Sequence, residues 1–155
     1  MLSQHDTLTI FFKQYEQASN TSDTESMLAH FADPFTVATP QGPQIVSATD
    51  FARVLPRRKA LFDNLGCQAA TLDSLNTTHL NDHFALADTT WRMRFALPNN
   101  RSDEFVVASS FMVYIEGPAA KIFVYMPHQD IMQILRGRGI LTEVTPLPAH
   151  THPAR

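Results

Sequence analysis

Four segments in the second half of the chain alternate between apolar and polar residues, and this alternation limits the fold more than any other feature. They run over 68–80, 83–97, 105–116 and 121–126. A period of two is typical of a β-strand with one buried face. Six residues of the second segment share the face that we expect to be buried: Ala85, Ala87, Thr89, Trp91, Met93 and Phe95. The residues of the other face are expected to meet water or a second subunit: Asp88, Thr90, Arg92 and Arg94.

The first part of the chain has helical patterns instead. Apolar residues recur at helical spacing over 4–19, and Asn20 is expected to end this first helix. The sequence Ser22-x-x-Glu25 has the form of a capping box, in which each side chain satisfies a free backbone donor at a helix start. It predicts a short second helix that ends near His30.

A small hairpin and a third helix are expected next. The β-type runs 35–38 and 44–47 flank the turn sequence PQGP, whose prolines favour an edge hairpin. The third helix is predicted to begin near Thr49 or Asp50. Because Pro56 has no backbone N–H, we expect it to break or restart this helix.

The order of these elements indicates an α+β fold, with helices first and then antiparallel strands in a curved sheet wrapped around a helix. A length of 155 residues, 44% of them hydrophobic, fits a single core. We predict one domain over 1–140, including a last helical turn at 131–136, and a flexible tail over 141–155. The tail residues His150 and His152 are interpreted as incidental rather than as metal ligands.

Composition argues against several classes of partner. The net charge is −3, and the only basic cluster is Arg57, Arg58 and Lys59, so nucleic acid is not expected. The sequence has no secretion signal and no stretch of about 20 apolar residues, so we expect a cytoplasmic protein away from membranes. Cys67 is the single cysteine, and CxxC and HExxH motifs are lacking, so neither a metal nor a cofactor is expected.

The stretch YEQASNTSDTESMLAHFADPFTVATPQG, over 15–42, combines a helix tyrosine, a small loop, an aromatic-Ala-Asp motif and a Pro-x-Gly turn. With ADTTWRMRF and AAKIFVYMPHQD further on, the chain resembles the nuclear-transport-factor-2-like (NTF2-like) superfamily over about Thr7 to Asp130. This superfamily includes the SnoaL-like polyketide cyclases and the ketosteroid isomerases. The resemblance implies a cone-shaped (cystatin-like) sheet around N-terminal helices, with a pocket between them and a homodimer formed through the outer sheet face.

The resemblance also allows the isomerase chemistry to be tested residue by residue. Tyr15 matches the tyrosine that holds the developing oxyanion, whereas Thr39 stands at the position of the catalytic aspartate. A threonine hydroxyl is far too weak a base for that role at neutral pH. The second acid would fall near Phe111, whose neighbours Ser109 and Ser110 are not acids either. Two of the three catalytic roles are therefore vacant.

Three functions remain open from the sequence. In the first, an apolar pocket binds a small hydrophobic molecule without turnover, and five residues form it: Tyr15 and Thr39 as hydrogen-bonding groups, with Trp91, Ser109 and Phe111 as lining. In the second, the protein is an isomerase, dehydratase or cyclase for a polyketide- or steroid-like carbonyl compound. There Tyr15 is the oxyanion donor, and His128, held by Asp130, is the base. In the third, the sheet face binds another protein.

Two residues of the enzyme hypothesis have a simpler interpretation. Pro127 would end the last strand, His128 would lie in a polar rim, and Asp130 would cap the helix that follows. The residues Arg92 and Arg94 could pair across a dimer interface or belong to an ordinary charged surface.

Overall fold

The computed structural model describes residues 2–21 and 23–142. Within this part, four helices and six strands follow one another along the chain: α1 (Gln4–Asn20), α2 (Thr24–Ala29), β1 (Phe31–Thr39), β2 (Gly42–Val46), α3 (Ala48–Asn64), β3 (Cys67–His79), β4 (Phe84–Leu97), β5 (Arg101–Glu116), β6 (Ala119–Pro127) and α4 (Ile131–Gly137). Three helices and the small hairpin precede the four long strands, which confirms the predicted α+β order.

All six strands join one sheet in the order β2-β1-β6-β5-β4-β3. Neighbouring strands are antiparallel except for β1 and β6, which run parallel, a pairing that the alternation pattern did not reveal. The register shifts in β3 between Leu72 and Ser74, and at the β5–β6 pair between Met112 and Val113. Such irregularities increase local twist, so they help to curve the sheet towards the helices.

The inner face of the sheet carries the core. All six residues that alternation assigned to the inner face of β4 are buried, which confirms that prediction. A first core cluster includes Phe12 and Phe111, and a second, towards α4, includes Phe95, Leu135 and Leu141. Packed residues therefore extend to position 141, and the rest of the predicted tail, from 143 and including both tail histidines, lies outside the described residues.

Polar contacts fix α1 against β3. The Asn20 side chain donates to the Ala70 carbonyl at 2.8 Å and accepts from the Ala70 N–H at 2.9 Å. One turn earlier, Glu16 accepts a hydrogen bond from the Leu72 N–H at 2.6 Å. Because both contacts lie in the last turns of α1, they set the position of Tyr15 relative to the sheet.

The cap of α2 differs from the prediction. Its N-cap residue is Asp23, whose carboxylate accepts hydrogen bonds from the backbone N–H and the hydroxyl of Ser26. Ser22, which the capping-box pattern assigned to this position, lies outside the described residues. An aspartate is as good an N-cap as a serine, so the motif predicted the helix and misplaced its cap by one residue.

The predicted break at Pro56 is wrong, because α3 continues through this residue to Asn64. Proline removes one backbone hydrogen bond, but packing on both sides of it holds the helix together. Phe51 lies five residues before Pro56 and Phe62 lies after it, and both rings are buried in the core. Ser47 caps the helix by accepting from the Asp50 N–H at 3.1 Å.

Within residues 2–21 and 23–142, no helix combines the length and the apolar character that crossing a bilayer requires. In the same part of the chain, no three His, Cys, Asp or Glu side chains are grouped as ligands for a metal ion.

Candidate functional site

A cavity of about 420 Å³ lies between the inner face of the sheet and the helices α1, α2 and α3. Four residues that the sequence assigned to the site line this cavity: Tyr15, Trp91, Ser109 and Phe111. They come from α1, β4 and β5, so residues nearly 100 positions apart in the chain meet there because the helices pack on the strands.

A cluster of aromatic rings forms one part of the wall. The Phe111 ring lies 5.1 Å from that of Phe12 and 5.6 Å from that of Tyr15, measured between centroids. Tyr125 stacks on Phe111 at 5.2 Å, and the rings of Tyr15 and Trp91 are 5.6 Å apart. Such ring pairs pack favourably and give an apolar wall with fixed shape.

The Trp91 indole presents its ring, rather than its N–H, to the cavity. Its Nε1 donates to the Thr89 hydroxyl at 2.8 Å, and that hydroxyl donates to the Ser109 carbonyl at 2.9 Å. All three residues are buried. Because the indole N–H already has a partner, Trp91 contributes apolar surface only.

The Tyr15 hydroxyl has no hydrogen-bond partner among the described residues. Burial raises the pKa of Tyr15 well above its ordinary value, and the nearby Tyr125 raises it further, while Arg58 partly offsets both effects. The side chain is nonetheless only partly buried, because it faces the cavity. A tyrosine with a raised pKa stays neutral at physiological pH and remains a hydrogen-bond donor.

The hydroxyls of Ser109 and Tyr125 likewise bond to none of the residues that the structure describes. In the described part of the chain, every side-chain nitrogen or oxygen atom that is sealed from solvent has a hydrogen-bond partner. These two hydroxyls and that of Tyr15 are therefore not sealed, and all three residues line the cavity. The lining of the cavity thus combines an aromatic cluster with available hydroxyls, among them these three.

Thr39 does not line the cavity, in contrast to the expectation that it binds a ligand. Its hydroxyl donates to the Gly42 carbonyl at 2.7 Å and accepts from the Gln41 N–H at 3.2 Å. Both contacts close the turn between β1 and β2, a common role for threonine at such positions. Thr39 is thus a turn residue, and its hydroxyl is already occupied.

The predicted pairing of His128 with Asp130 is wrong. The Asp130 carboxylate accepts hydrogen bonds from the N–H groups of Met132 and Gln133, which confirms the simpler interpretation that it caps α4. His128 instead places Nε2 at 2.7 Å from the Ser110 hydroxyl. That hydroxyl also lies 2.5 Å from an Asp88 carboxylate oxygen.

These contacts fix the direction of the hydrogen bonds. A carboxylate can only accept, so the Ser110 hydroxyl donates to Asp88, and His128 must donate from Nε2 to Ser110. Ser110 and Asp88 alternate with the inward residues of their strands and therefore lie on the outer sheet face. The imidazole is held on the side of the sheet opposite to Tyr15.

A second cavity of about 260 Å³ lies between the β1–β2 turn, the end of β6 and α4. His128 and Asp130 are part of its wall. Five of its lining residues also line the larger cavity: Arg58, Val107, Ser109, Tyr125 and Ile131. The two cavities therefore adjoin, and these five residues lie between them.

Sequence reasoning missed Tyr125 and Arg58. Strict alternation places Tyr125 on the face opposite Ile122, but the register shift leaves Phe123 as an extra residue, so both Ile122 and Tyr125 face inward. In the sequence, Arg58 stands out only as part of the basic cluster at 57–59. The signal that could have found it is its spacing of four residues from Phe62, which puts both side chains on one face of α3.

Comparison with known proteins gives one family. The family described as "NTF2-like protein (DUF6841)" matches residues 5–130. No curated protein matches the chain. Among solved structures, Aln2 from a Streptomyces species is similar over 86% of this chain and 97% of its own, with a TM-score of 0.68 and 10% identity.

Two further structures are similar in fold. A candidate polyketide cyclase from Xanthomonas campestris has a TM-score of 0.53 and 18% identity, over 85% of this chain and 96% of its own. A candidate scytalone dehydratase from Novosphingobium aromaticivorans has a TM-score of 0.62 and 8% identity, over 80% of this chain and 82% of its own. At such identities the likeness concerns the fold alone, and a shared fold does not assign a reaction.

Proposed function

The chain belongs to the NTF2-like family, and we propose that it binds a small hydrophobic molecule in the cavity between α1, α3 and the inner face of the sheet. The observation that carries this proposal is the combination of an aromatic wall with three hydroxyls that have no partner among the described residues. The volume of about 420 Å³ is in the range of small-molecule sites. A ring compound that bears a polar oxygen would match both features.

Titration with N-phenyl-1-naphthylamine, a neutral dye that fluoresces in apolar surroundings, tests this function. We expect saturable binding with a stoichiometry of one dye per chain, and a melting temperature that rises with dye concentration by mass action. Native mass spectrometry of the purified protein would show whether a ligand is already present. A protein without bound ligand that neither binds the dye nor gains thermal stability from it would contradict the proposal.

Binding has more support than turnover. Tyr15 is suited to hold an oxyanion, as the enzyme hypothesis requires, but that hypothesis also needs a base next to the ligand. His128 donates to Ser110 on the outer sheet face, and Thr39 is occupied in a turn. A positioned base is typically worth about 10²–10⁴ in rate, and Tyr15 alone does not supply it. An isomerase, dehydratase or cyclase activity would need a base from the ligand itself or from water.

We also propose that two copies pair through the outer sheet face. Val106 and Met126 lie on this face with 42% and 41% of their surface exposed, which is high for large apolar side chains. A second copy of the chain would cover these two side chains. A different protein bound to the sheet face would cover them as well, which is the third function left open by the sequence. The mass of the purified protein in solution distinguishes a homodimer from a monomer that awaits another partner.

A further inference from the structure

Arg58 brings a positive charge to the point where the two cavities meet. It lies on α3 and lines both of them. The guanidinium carbon stands 4.8 Å from the centroid of the Phe62 ring, one helical turn further on. This stacking holds the side chain along the helix and leaves the edge of the planar group, with its N–H donors, open to a ligand.

No carboxylate pairs with Arg58 among the described residues. Three carboxylates line the two cavities, and each has other partners. Asp63 is paired with Lys59 at 2.7 Å, Asp23 accepts from Ser26, and Asp130 caps α4. The charge of Lys59 is thereby matched within the protein, whereas the charge of Arg58 is not.

The charge of Arg58 is felt inside the larger cavity. It acts to lower the pKa of Tyr15 and that of Cys67, against the dominant effect of burial in both cases. An anion in the cavity would therefore meet a favourable potential in surroundings that screen charge less than bulk water. The hydroxyls of Ser109 and Tyr125, which line both cavities with Arg58, are available as further donors.

We propose that the ligand is an amphipathic organic anion, with a ring-containing apolar body in the larger cavity and a carboxylate paired with Arg58. This inference rests on the proposed binding function and narrows it to one class of compound. A carboxylate matches the guanidinium group because two parallel N–H donors can meet its two oxygens. The aromatic rings around Phe111 then enclose the apolar body of the same molecule.

Isothermal titration with naphthalene-2-carboxylate and with 2-acetylnaphthalene tests the proposal, because the two probes share the ring system and only the first is charged. We expect the parent protein to bind the carboxylate about tenfold more tightly than the ketone. Arg58→Gln should lose this preference through weaker binding of the carboxylate, with the affinity for the ketone unchanged. Arg57→Gln is the matched control, since Arg57 is exposed and lines neither cavity.

The outcomes separate this inference from the function on which it rests. Equal affinity for the two probes, or a carboxylate preference that survives in Arg58→Gln, would overturn the inference and leave the binding function intact. If neither probe nor the neutral dye binds, the binding function itself is contradicted.

Should Arg58→Gln fold poorly, Arg58→Lys serves in its place, because it keeps the charge and removes the paired donors. An intermediate preference is then expected, and an unchanged one contradicts the paired geometry.

Discussion

The imidazole of His128 lies 2.7 Å from the hydroxyl of Ser110, and this hydroxyl donates in turn to Asp88. The three side chains form a short hydrogen-bonded row across the outer face of β4, β5 and the end of β6. His128 therefore faces away from the ring of Tyr15, although both residues were candidates for one catalytic site. Their separation has a direct consequence for ligand binding.

His128→Ala should leave the affinity for N-phenyl-1-naphthylamine within about twofold of the parent value, because the imidazole donates to a partner outside the larger cavity. The variant loses one hydrogen bond at the surface, so the free energy of unfolding should fall by about 0.5–1.5 kcal/mol. Fluorescence titration and urea unfolding measure the two quantities. A loss of dye affinity larger than about tenfold would bring His128 back into the binding site.

Thr89→Val should destabilise the protein by about 1–3 kcal/mol. The substitution preserves the shape of the side chain but leaves the Trp91 N–H without its partner in a buried region, while the Ser109 carbonyl loses its second donor and keeps its place in the β4–β5 ladder. An unsatisfied buried polar group costs about 1–3 kcal/mol. Urea unfolding, followed by the fluorescence of Trp91, gives the difference directly.

The matched control is Thr90→Val, one position further along the same strand. The Thr90 hydroxyl bonds to that of Ser74 on the outer face of the sheet, in an exposed setting. Water can replace this partner, so the cost should stay below about 0.5 kcal/mol. Similar losses for the two variants would show that the buried contacts of Thr89 contribute little to stability.

Tyr15 should make stability fall at alkaline pH. In the unfolded chain its pKa is close to 10.0, and burial together with the nearby Tyr125 raises it in the folded protein. Above pH 10.0 the unfolded chain loses the Tyr15 proton while the folded protein keeps it, so the free energy of unfolding decreases as pH rises. Below that pH the residue adds no pH dependence.

Urea unfolding between about pH 9 and about pH 11 measures this effect. Tyr15→Phe removes the titrating group and keeps the ring, so its free energy of unfolding should fall less steeply over the same interval. The ultraviolet absorbance of tyrosinate reports the ionisation directly, since Tyr15 should ionise at a higher pH than an exposed tyrosine. Parallel curves for the parent and the variant would mean that water in the cavity solvates the phenolate.

The sequence predicts those parts of the fold that are determined by neighbouring residues in the chain, and it misses those that depend on contacts with distant residues. The alternation of β4 predicted six buried residues correctly because β4 itself contains no extra residue: its register with β5 is continuous, and the shifts against β3 lie in β3. Alternation alone does not indicate that Tyr125 of β6 points inward, because the extra residue Phe123 is visible only in the pairing with β5. The predicted break at Pro56 was wrong for a similar reason: the tertiary packing of Phe51 and Phe62 outweighs the local cost of a proline in the helix.

The site was predictable only in part for the same reason. Tyr15 and Trp91 lie on inward faces of regular elements, so periodicity indicated that they point to the interior, whereas Ser109 and Phe111 were indicated by the resemblance to the superfamily. His128 and Thr39 lie at the ends of strands, where hydrogen bonds to particular neighbours, rather than the alternation of the strand, decide the direction of the side chain. Their partners, Ser110 for His128 and the Gly42 carbonyl for Thr39, cannot be read from strand alternation.

Val107→Phe should block the larger cavity. Val107 lies on the inner face of β5, lines both cavities and is only partly buried, so a larger ring would occupy the space that a ligand needs. We expect the affinity for N-phenyl-1-naphthylamine to fall at least about tenfold, which corresponds to about 1.4 kcal/mol. Val106→Phe adds the same ring to the opposite face of the same strand and should bind the dye like the parent. Equal binding by the two variants would place the dye elsewhere on the protein.

Met126→Asp should convert the proposed dimer into a monomer. Met126 lies opposite Ser110 on the outer sheet face and is well exposed in the single chain, so an aspartate there is tolerated by the monomer. In a dimer the same carboxylate would be buried without a partner, at a cost of several kcal/mol. Light scattering coupled to size exclusion measures the mass of the parent and the variant at equal concentrations.

Ile45→Asp is the control, because Ile45 is the most exposed large apolar residue in the described chain and lies on β2, at the far edge of the sheet. A parent that is already monomeric would rule out the dimer, and its exposed outer face would then favour a different protein as the partner.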